Sequence, residues 1–413
     1  MGKIREKRKK ERTKKLLVRF GAGLGISVIA LAMVFLLTET IGSRGTLADA
    51  GSETESVYET NIPMPTEEEP DSLQLVMVGD MLMHDKIINS GKQEDGNYNF
   101  DHLFIHVAEK ITSADLAIVN QETIMGGESY GYSGYPNFNS PFALADAEVK
   151  AGFDVLLLAT NHAMDKTGNA ILNCMEYLDT TYPDLGYVGI NHNQEEQDNY
   201  IYTYEANGIT VAILNYTYGT NGIPLPEDKP YLVNLLKEEK VRSDICKAEE
   251  IADFTIVCPH WGTEYRLTSS SYQRKWANIF LEEGVDLVLG AHPHVIEPVE
   301  WLTNENGQQM LVYYSVGNFV NGTKSTGHGV TNRMVGGMAD VTLERNPETG
   351  EVFIKEYDAI PLVCHVAEGT NYTVYYLEDY TEEMASQNLI LLQDAEFSKA
   401  LCEELVNQVW GEQ

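Results

Sequence analysis

Two histidines separated by one residue follow a short apolar run near the middle of the C-terminal half. Residues 287–295 read Leu-Val-Leu-Gly-Ala-His-Pro-His-Val. Because side chains at positions i and i+2 of an extended chain project to one side, His292 and His294 are expected to converge on one ion. Such pairs also occur as surface or satisfied core residues, so this pair alone is weak support for a metal site.

Four further apolar runs end in residue types that bind metal ions. The residues at the ends of these runs are, in chain order, Asp80 and His84, Asn120 and Glu122, Asn161 and His162, and His260 and Glu264. Functional groups of open sheets gather at the ends of neighbouring strands, where these side chains would meet. The sequence therefore predicts one cluster of metal ligands built from five strand ends.

Structural roles are the alternative for several of these residues. Asn161 and His162 could form a helix cap before residues 163–167, since Asn is a preferred capping residue. Asp165 is interpreted as a structural acceptor. Glu264 is interpreted either as a hydrogen-bond partner of a ligating histidine or as a solvated loop residue.

Strand-like runs alternate with helical segments along residues 73–323, which predicts an α/β (α+β) fold with helices covering a sheet. A turn-forming cluster at 345–350 separates runs 339–344 and 351–357 and predicts an antiparallel hairpin. Residues 376–413 are expected to form a helical C-terminal extension. The five cysteines are widely scattered without a Cys-x-x-Cys pair, so neither a zinc ribbon nor a disulfide scaffold is indicated.

The N-terminal region has the composition of a membrane anchor. Residues 1–15 are basic and predicted to be cytoplasmic, and residues 16–38 are predicted to form a single transmembrane helix that leaves the body outside the cell. A cleavable signal peptide is the alternative, although Ala48-Asp49-Ala50 lies about a dozen residues beyond the apolar stretch. Residues 39–72 contain little apolar surface and are expected to form a disordered extracellular linker.

The charge distribution excludes some partners. Residues 1–19 contain ten Lys and Arg and two Glu, which gives a charge of +8. Because the net charge of the whole chain is −33, residues 20–413 carry −41. Nucleic acid binding is therefore disfavoured. A polyanion would need bound cations or a local basic patch, for which Arg266, Arg274 and Lys275 are the best candidates, with a solvated helix face as the alternative.

Six short motifs occur in an order that resembles a known family. They are Gly79-Asp80, Asn120-Gln121-Glu122, residues 161–165, residues 260–265, residues 290–295 and residues 314–319. The resemblance is to the CapA capsule-synthesis proteins, also called PgsA-like, which are associated with poly-γ-glutamate and look like a branch of the calcineurin-like metallophosphoesterases. It covers roughly residues 73–365, within a domain expected to span 73–375.

The resemblance implies an αββα sandwich that holds two divalent metal ions, with manganese, iron and zinc all suited to such ligands. By position, Asp80 and His294 resemble ligands of the first ion, Glu122 the bridging carboxylate, and Asn161, His260 and His292 ligands of the second. His162 resembles the histidine that protonates a leaving group or stabilises charge.

Two positions depart from the superfamily pattern. Leu82 stands where a histidine usually follows the first Asp by two residues, and His84 is the nearest substitute. Asn120 and Glu122 stand where the second motif normally supplies Asp, so the bridging carboxylate would be on a longer side chain.

Two classes of function follow from the resemblance. The first is a membrane-anchored extracellular hydrolase, metal-dependent, acting on a phosphoester or an amide-linked polymer. The second is a non-catalytic assembly or export factor that binds poly-γ-glutamate. The implied partners are the membrane, an anionic surface polymer or phosphoester substrate, and membrane proteins of capsule synthesis.

Overall fold

The computed structural model describes residues 71–367 and 371–411. The predicted transmembrane helix at 16–38, the basic segment before it and most of the predicted linker lie outside the described residues. Ser72, placed in the linker by the sequence, is already the first residue of a strand. Over the described part of the chain, no helix is both long enough and apolar enough to cross a membrane.

The described elements alternate between strands and helices for most of their length. In chain order, the strands are β1 (Ser72–Leu82), β2 (Leu116–Asn120), β3 (Val155–Leu157), β4 (Gly186–Val188), β5 (Tyr202–Ala206), β6 (Ile209–Thr217), β7 (Phe254–His260), β8 (Leu287–Leu289), β9 (Val299–Thr303), β10 (Gln309–Tyr313), β11 (Asn318–Asn321), β12 (Val335–Arg345), β13 (Val352–Val366) and β14 (Tyr372–Tyr376). The helices are α1 (Asp85–Ser90), α2 (Ala108–Ser113), α3 (Ala143–Ala151), α4 (Gly168–Thr181), α5 (Gln194–Asn199), α6 (Glu238–Ile251), α7 (Ser271–Glu283), α8 (Glu382–Gln387) and α9 (Lys399–Trp410). Short 3-10 helices lie at Asp101–Leu103, Glu128–Tyr130, Thr331–Met334 and Leu389–Leu392.

The strands form two sheets. The first has the order β14-β13-β12-β1-β2-β3-β4, with β11 also paired to β1, and the second has the order β5-β6-β7-β8-β10-β9. Strands β1 to β4 run parallel to one another, as do β6, β7, β8 and β10. Each sheet therefore presents several carboxyl ends along one edge, where ligands gather in parallel sheets.

Strand β1 shows why the two sheets stack. Leu73, Leu75 and Met77 pack into an apolar core shared with strands of the second sheet, whereas Val76 and Val78 pack into a different core on the opposite face. An uninterrupted apolar run is the pattern of a strand that is buried on both faces. The apolar run of β1 is therefore explained by the position of this strand between the second sheet and a layer of helices.

Helices cover the outer face of each sheet. On the first sheet the outer core contains Leu144 of α3 and Ile171 of α4, and on the second it contains Ile245 of α6 and Phe280 of α7. Helix α7 begins at a complete capping box, in which Ser270 and Gln273 satisfy each other's backbone amides. The predicted αββα sandwich is confirmed.

Two details of the predicted elements can be compared directly. The predicted hairpin is present, since β12 and β13 are antiparallel and residues 346–351 connect them. The apolar and aromatic run at residues 310–319 also predicts one strand, and this prediction is wrong because β10 ends at Tyr313 and β11 begins at Asn318. Apart from the connecting turn, the described residues from 71 to 411 make up one unit.

Candidate metal centre

The carboxyl ends of strands from both sheets meet at one buried site. Asp80 of β1 is paired in register with Asn120, the last residue of β2, and Glu122 follows two residues later. His260 ends β7 in the second sheet and forms a parallel bridge with Ala291, the residue before His292. The structure thus brings together side chains that are far apart in the sequence.

Five residues fall into two groups of three that share one carboxylate. Asp80, Glu122 and His294 form the first group, and Glu122, His260 and His292 form the second, with the ligand atoms of each group within 4.8 Å of one another. Glu122 Oε1 lies 3.6 Å from His260 Nε2, and Glu122 Oε2 lies 3.7 Å from His294 Nδ1. This grouping is the one that the family resemblance implies for a pair of metal ions.

The residues present fit two divalent ions. Both carboxylate oxygens of Glu122 are buried without a hydrogen-bond partner, and so is Nδ1 of His292. A buried carboxylate without a hydrogen bond is costly, and coordination of a cation would reduce that cost. Imidazole and carboxylate ligands together suit manganese, iron and zinc.

The pKa values show how strongly these charges interact. Burial raises the pKa of Asp80 and the neighbouring Glu122 carboxylate raises it further. Burial acts in the same direction on Glu122, but His294 and His260 outweigh it and hold the pKa of Glu122 below its usual range. Burial favours neutral His294, yet Glu122 and Asp80 raise its pKa to about 9. The charges of the two carboxylates are therefore coupled to that of His294, and divalent ions would add positive charge at the same place.

Two asparagines lie at the site with different contacts. Oδ1 of Asn161 is 2.9 Å from His260 Nε2, so the amide oxygen faces the second group. Nδ2 of Asn120 donates to Asp80 Oδ1 at 2.8 Å and lies 3.4 Å from His260 Nδ1. The amide oxygen of Asn161 therefore lies beside the second group, and Asn120 contacts both Asp80 and His260.

His162 is held by a carboxylate on the side of its Nδ1 atom. Asp165 Oδ2 lies 2.7 Å from His162 Nδ1 and also accepts a hydrogen bond from the backbone of Phe138. The helix-cap interpretation of this segment is wrong, because residues 161–166 form a turn and α4 begins only at Gly168. The interpretation of Asp165 as a structural acceptor is confirmed.

The backbone around His292 and His294 differs from the sequence prediction. Strand β8 ends at Leu289, and the two histidines have φ angles of 101° and 60° in the following loop. Because these left-handed conformations break the alternation of an extended strand, the two rings enter different groups, with centroids 5.7 Å apart. Convergence on a single ion is therefore wrong. Strain of this kind is typical of functional loops.

His84 and Glu264 lie beside the two groups and belong to neither. Both line a cavity of about 440 Å³ together with His162, His294 and Leu82. Burial lowers the pKa of His84 to about 4, with His294 acting in the same direction. These placements leave His84 and Glu264 facing the ligand space of the site.

Asn318 is a site residue whose contacts the sequence did not predict. Its Oδ1 atom lies 3.0 Å from His294 Nδ1, and its amide group donates to the carbonyl oxygens of His294 and Arg333. Its place in the motif at residues 314–319 was the one sequence feature that marked it. Arg333, which lines the cavity, had no signal at all.

The residues of the basic patch proposed from the sequence, Arg266, Arg274 and Lys275, do not line the cavity. Arg274 pairs with Glu300, and Lys275 lies 3.9 Å from Glu238. Both cations belong to α7, and neither lines the cavity. Their charge is thus partly compensated at the surface, as expected for a solvated helix face.

Known proteins are similar to this chain over most of the sandwich. The sequence model of the bacterial capsule synthesis protein PGA_cap matches residues 74–323. The capsule biosynthesis protein CapA of Bacillus anthracis is 29% identical over 262 residues, which cover 61% of this chain and 60% of that protein. The PGA biosynthesis protein CapA of Bacillus subtilis strain 168 is 31% identical over 178 residues, or 41% of this chain and 42% of that protein.

The chain thus spans less than two thirds of the length of either relative. Among solved structures, the calcineurin-like phosphoesterase YfkN from Bacillus subtilis is similar with a TM-score of 0.38 and 16% identity. That alignment covers 71% of this chain and 90% of the solved one.

Proposed function

Because this chain belongs to the bacterial capsule synthesis protein family, we propose that it acts in the production of an anionic surface polymer through a two-metal hydrolytic site. The substrate in this proposal is a phosphoester or an amide-linked polymer such as poly-γ-glutamate. The body works outside the cell, held to the membrane by residues 16–38. Membrane proteins of capsule synthesis are its expected partners.

One observation carries the proposal. Glu122 is fully buried, belongs to both ligand groups and leaves both oxygens without a hydrogen bond. A carboxylate shared by both groups would neutralise and bridge two cations. Glu148 is also buried with both oxygens lacking a hydrogen bond, but it belongs to neither group, so it is the membership of Glu122 in both that supports the proposal. Divalent ions bound there would supply Lewis-acid polarisation of the scissile group. Asp80, Glu122 and His294 would hold one ion, and Glu122, Asn161, His260 and His292 the other.

His162 has the placement of a proton donor or charge-stabilising group. Its contact with Asp165 occupies Nδ1 and favours the tautomer that carries the proton there, which leaves Nε2 as the exchanging nitrogen. The residue lines the cavity beside His294, within reach of a bound ligand. Asp165 therefore serves to orient the ring, as outer-shell carboxylates do for other histidines.

The first experiment measures metal content and turnover on the purified full-length chain. After reconstitution with manganese, iron or zinc, elemental analysis should find up to two ions per chain. Phosphomonoesters, phosphodiesters and poly-γ-glutamate are then screened for hydrolysis. A pure, folded protein that retains no divalent ion under any of these conditions would remove the basis of the proposal.

His162→Ala separates the hydrolase from a non-catalytic assembly or export factor. For a hydrolase, the variant should keep its metal and lose turnover by about 10²- to 10⁴-fold, the usual contribution of a positioned acid or base. Surface-polymer production should fall with it. Unchanged polymer production by a metal-replete variant would favour the assembly factor, in which binding geometry rather than proton transfer matters.

A further inference from the structure

The cavity beside the metal centre has room for more than the single anionic group that the metal ions would bind. Its volume is about 440 Å³, and its lining includes His162 and His294 together with Thr323, Ser325 and Arg333. Cavities of a few hundred Å³ enclose most of a small-molecule ligand. The space therefore accommodates a ligand that extends from the metal centre to Arg333.

Arg333 is held in place by contacts on several sides. Its guanidinium carbon lies 3.5 Å from the centroid of the Tyr265 ring, and Nη1 donates to Ser325 Oγ at 3.1 Å and Thr323 Oγ1 at 3.3 Å. Its backbone carbonyl accepts a hydrogen bond from Asn318, which also contacts His294. The arginine is thus preorganised and tied to the wall of the metal site.

The charge of Arg333 is not balanced by a carboxylate. None of the described Asp and Glu residues lies within ion-pair distance, and Nε is buried without a hydrogen-bond partner. By contrast, Arg242 and Arg345 each pair with two or more carboxylates. In a chain of net charge −33, a half-buried guanidinium left without a carboxylate points to an anion from outside the chain.

We propose that Arg333, with the hydroxyl groups of Thr323 and Ser325, forms a second anion-binding subsite of the ligand cavity. This inference rests on the proposed function, because it assigns the ligand's first anionic group to the metal centre. A planar guanidinium fork suits a carboxylate or a phosphate equally. The ligand class is therefore a molecule with at least two anionic groups, either successive carboxylates of a γ-linked glutamyl chain or two phosphates.

Binding measurements on the full-length chain test the subsite. A γ-linked glutamyl trimer, inorganic pyrophosphate and inorganic phosphate are titrated into the wild type and into Arg333→Gln. The variant should bind the trimer or pyrophosphate about tenfold or more weakly, the expected loss of a charge-assisted hydrogen bond. Binding of inorganic phosphate, which needs only the metal centre, should stay within about twofold. A loss for the trimer alone identifies carboxylates, and a loss for pyrophosphate alone identifies phosphates.

Two further variants control for folding and for general charge. Arg333→Lys keeps the charge without the fork and should bind with intermediate affinity, whereas Arg274→Gln on α7 should change nothing. Equal weakening for inorganic phosphate, or no weakening for either larger anion, would overturn the subsite. Titration of the chelator-treated protein separates this inference from the proposed function. Arg333-dependent trimer binding without metal would retain the subsite, whereas the hydrolase is tested by the turnover of the metal-loaded wild type.

Discussion

Replacing Glu122 by Gln should abolish most of the stabilisation that metal ions give to the fold. At a free metal concentration of one hundred times the dissociation constant, each bound ion contributes about 2.7 kcal/mol, so two ions contribute about 5 kcal/mol. For a chain of this size, 1 kcal/mol corresponds to about 2 °C in melting temperature, which predicts a metal-dependent gain of about 10 °C for the wild type. Because Glu122 belongs to both ligand groups, the variant should show almost none of this gain.

Substitution of a residue that belongs to only one group should remove about half of the metal-dependent gain in melting temperature. His292 is present only in the second group, so His292→Ala should retain about 5 °C of the metal-dependent gain. Glu264 lines the cavity outside both groups, and Glu264→Gln should retain all of it. The assay is thermal unfolding with and without chelator, with metal content measured on the same samples. Two ions retained by Glu122→Gln, or equal losses for Glu122→Gln and His292→Ala, would refute the shared carboxylate.

Three other expectations concern the orientation of His162, the burial of Glu297 and the topology of the chain. Asp165→Asn should keep the metal content and lower turnover by about 10- to 100-fold, because the ring of His162 loses the charged partner of Nδ1; unchanged turnover would contradict the orienting role. Burial raises the pKa of Glu297 to about 8, so the stability associated with its protonated form is lost as pH rises from about 4.5 towards 8. Glu297→Gln should therefore exceed the wild type in urea stability by a few kcal/mol at pH 8 and by little at pH 5, and a pH-independent difference would rule this out. Protease added to intact cells should release the body by cutting within residues 39–72, and protection until lysis would reverse the proposed topology.

The sequence predicted the parts of the site that depend on buried strands. Asp80, Glu122 and His260 each lie at or just after an apolar run, and such runs can be recognised locally because strands buried on both faces have little polar content. The order of the six motifs also predicted the family, which the match over residues 74–323 confirms. Strand ends and family membership are therefore visible without a structure.

Backbone conformation and distant packing were not visible in the same way. The left-handed angles of His292 and His294 leave no local signature, since a strand that continued through residues 290–294 would have the same composition. Arg333 reaches the cavity from the 3-10 helix at Thr331–Met334, and its carbonyl is held by Asn318 and Asn321. Its position depends on tertiary contacts that no spacing between motifs encodes.

Two glycines explain why the first and last motifs come together at the metal site. A Cβ atom on Gly79 would lie 1.8 Å from the carbonyl oxygen of Gly317, and Gly317 itself has a φ angle of 69°. The same carbonyl accepts a hydrogen bond of 3.0 Å from the amide of Asp80. Only glycine permits this approach of β1 to the turn before β11, since any side chain would separate the two backbones. Asp80 and Asn318, each the residue after one of these glycines, are thereby both held 3.0 Å from Nδ1 of His294. The glycines of the Gly-Asp and Gly-Asn pairs thus position ligand-type side chains, although neither has a side chain of its own.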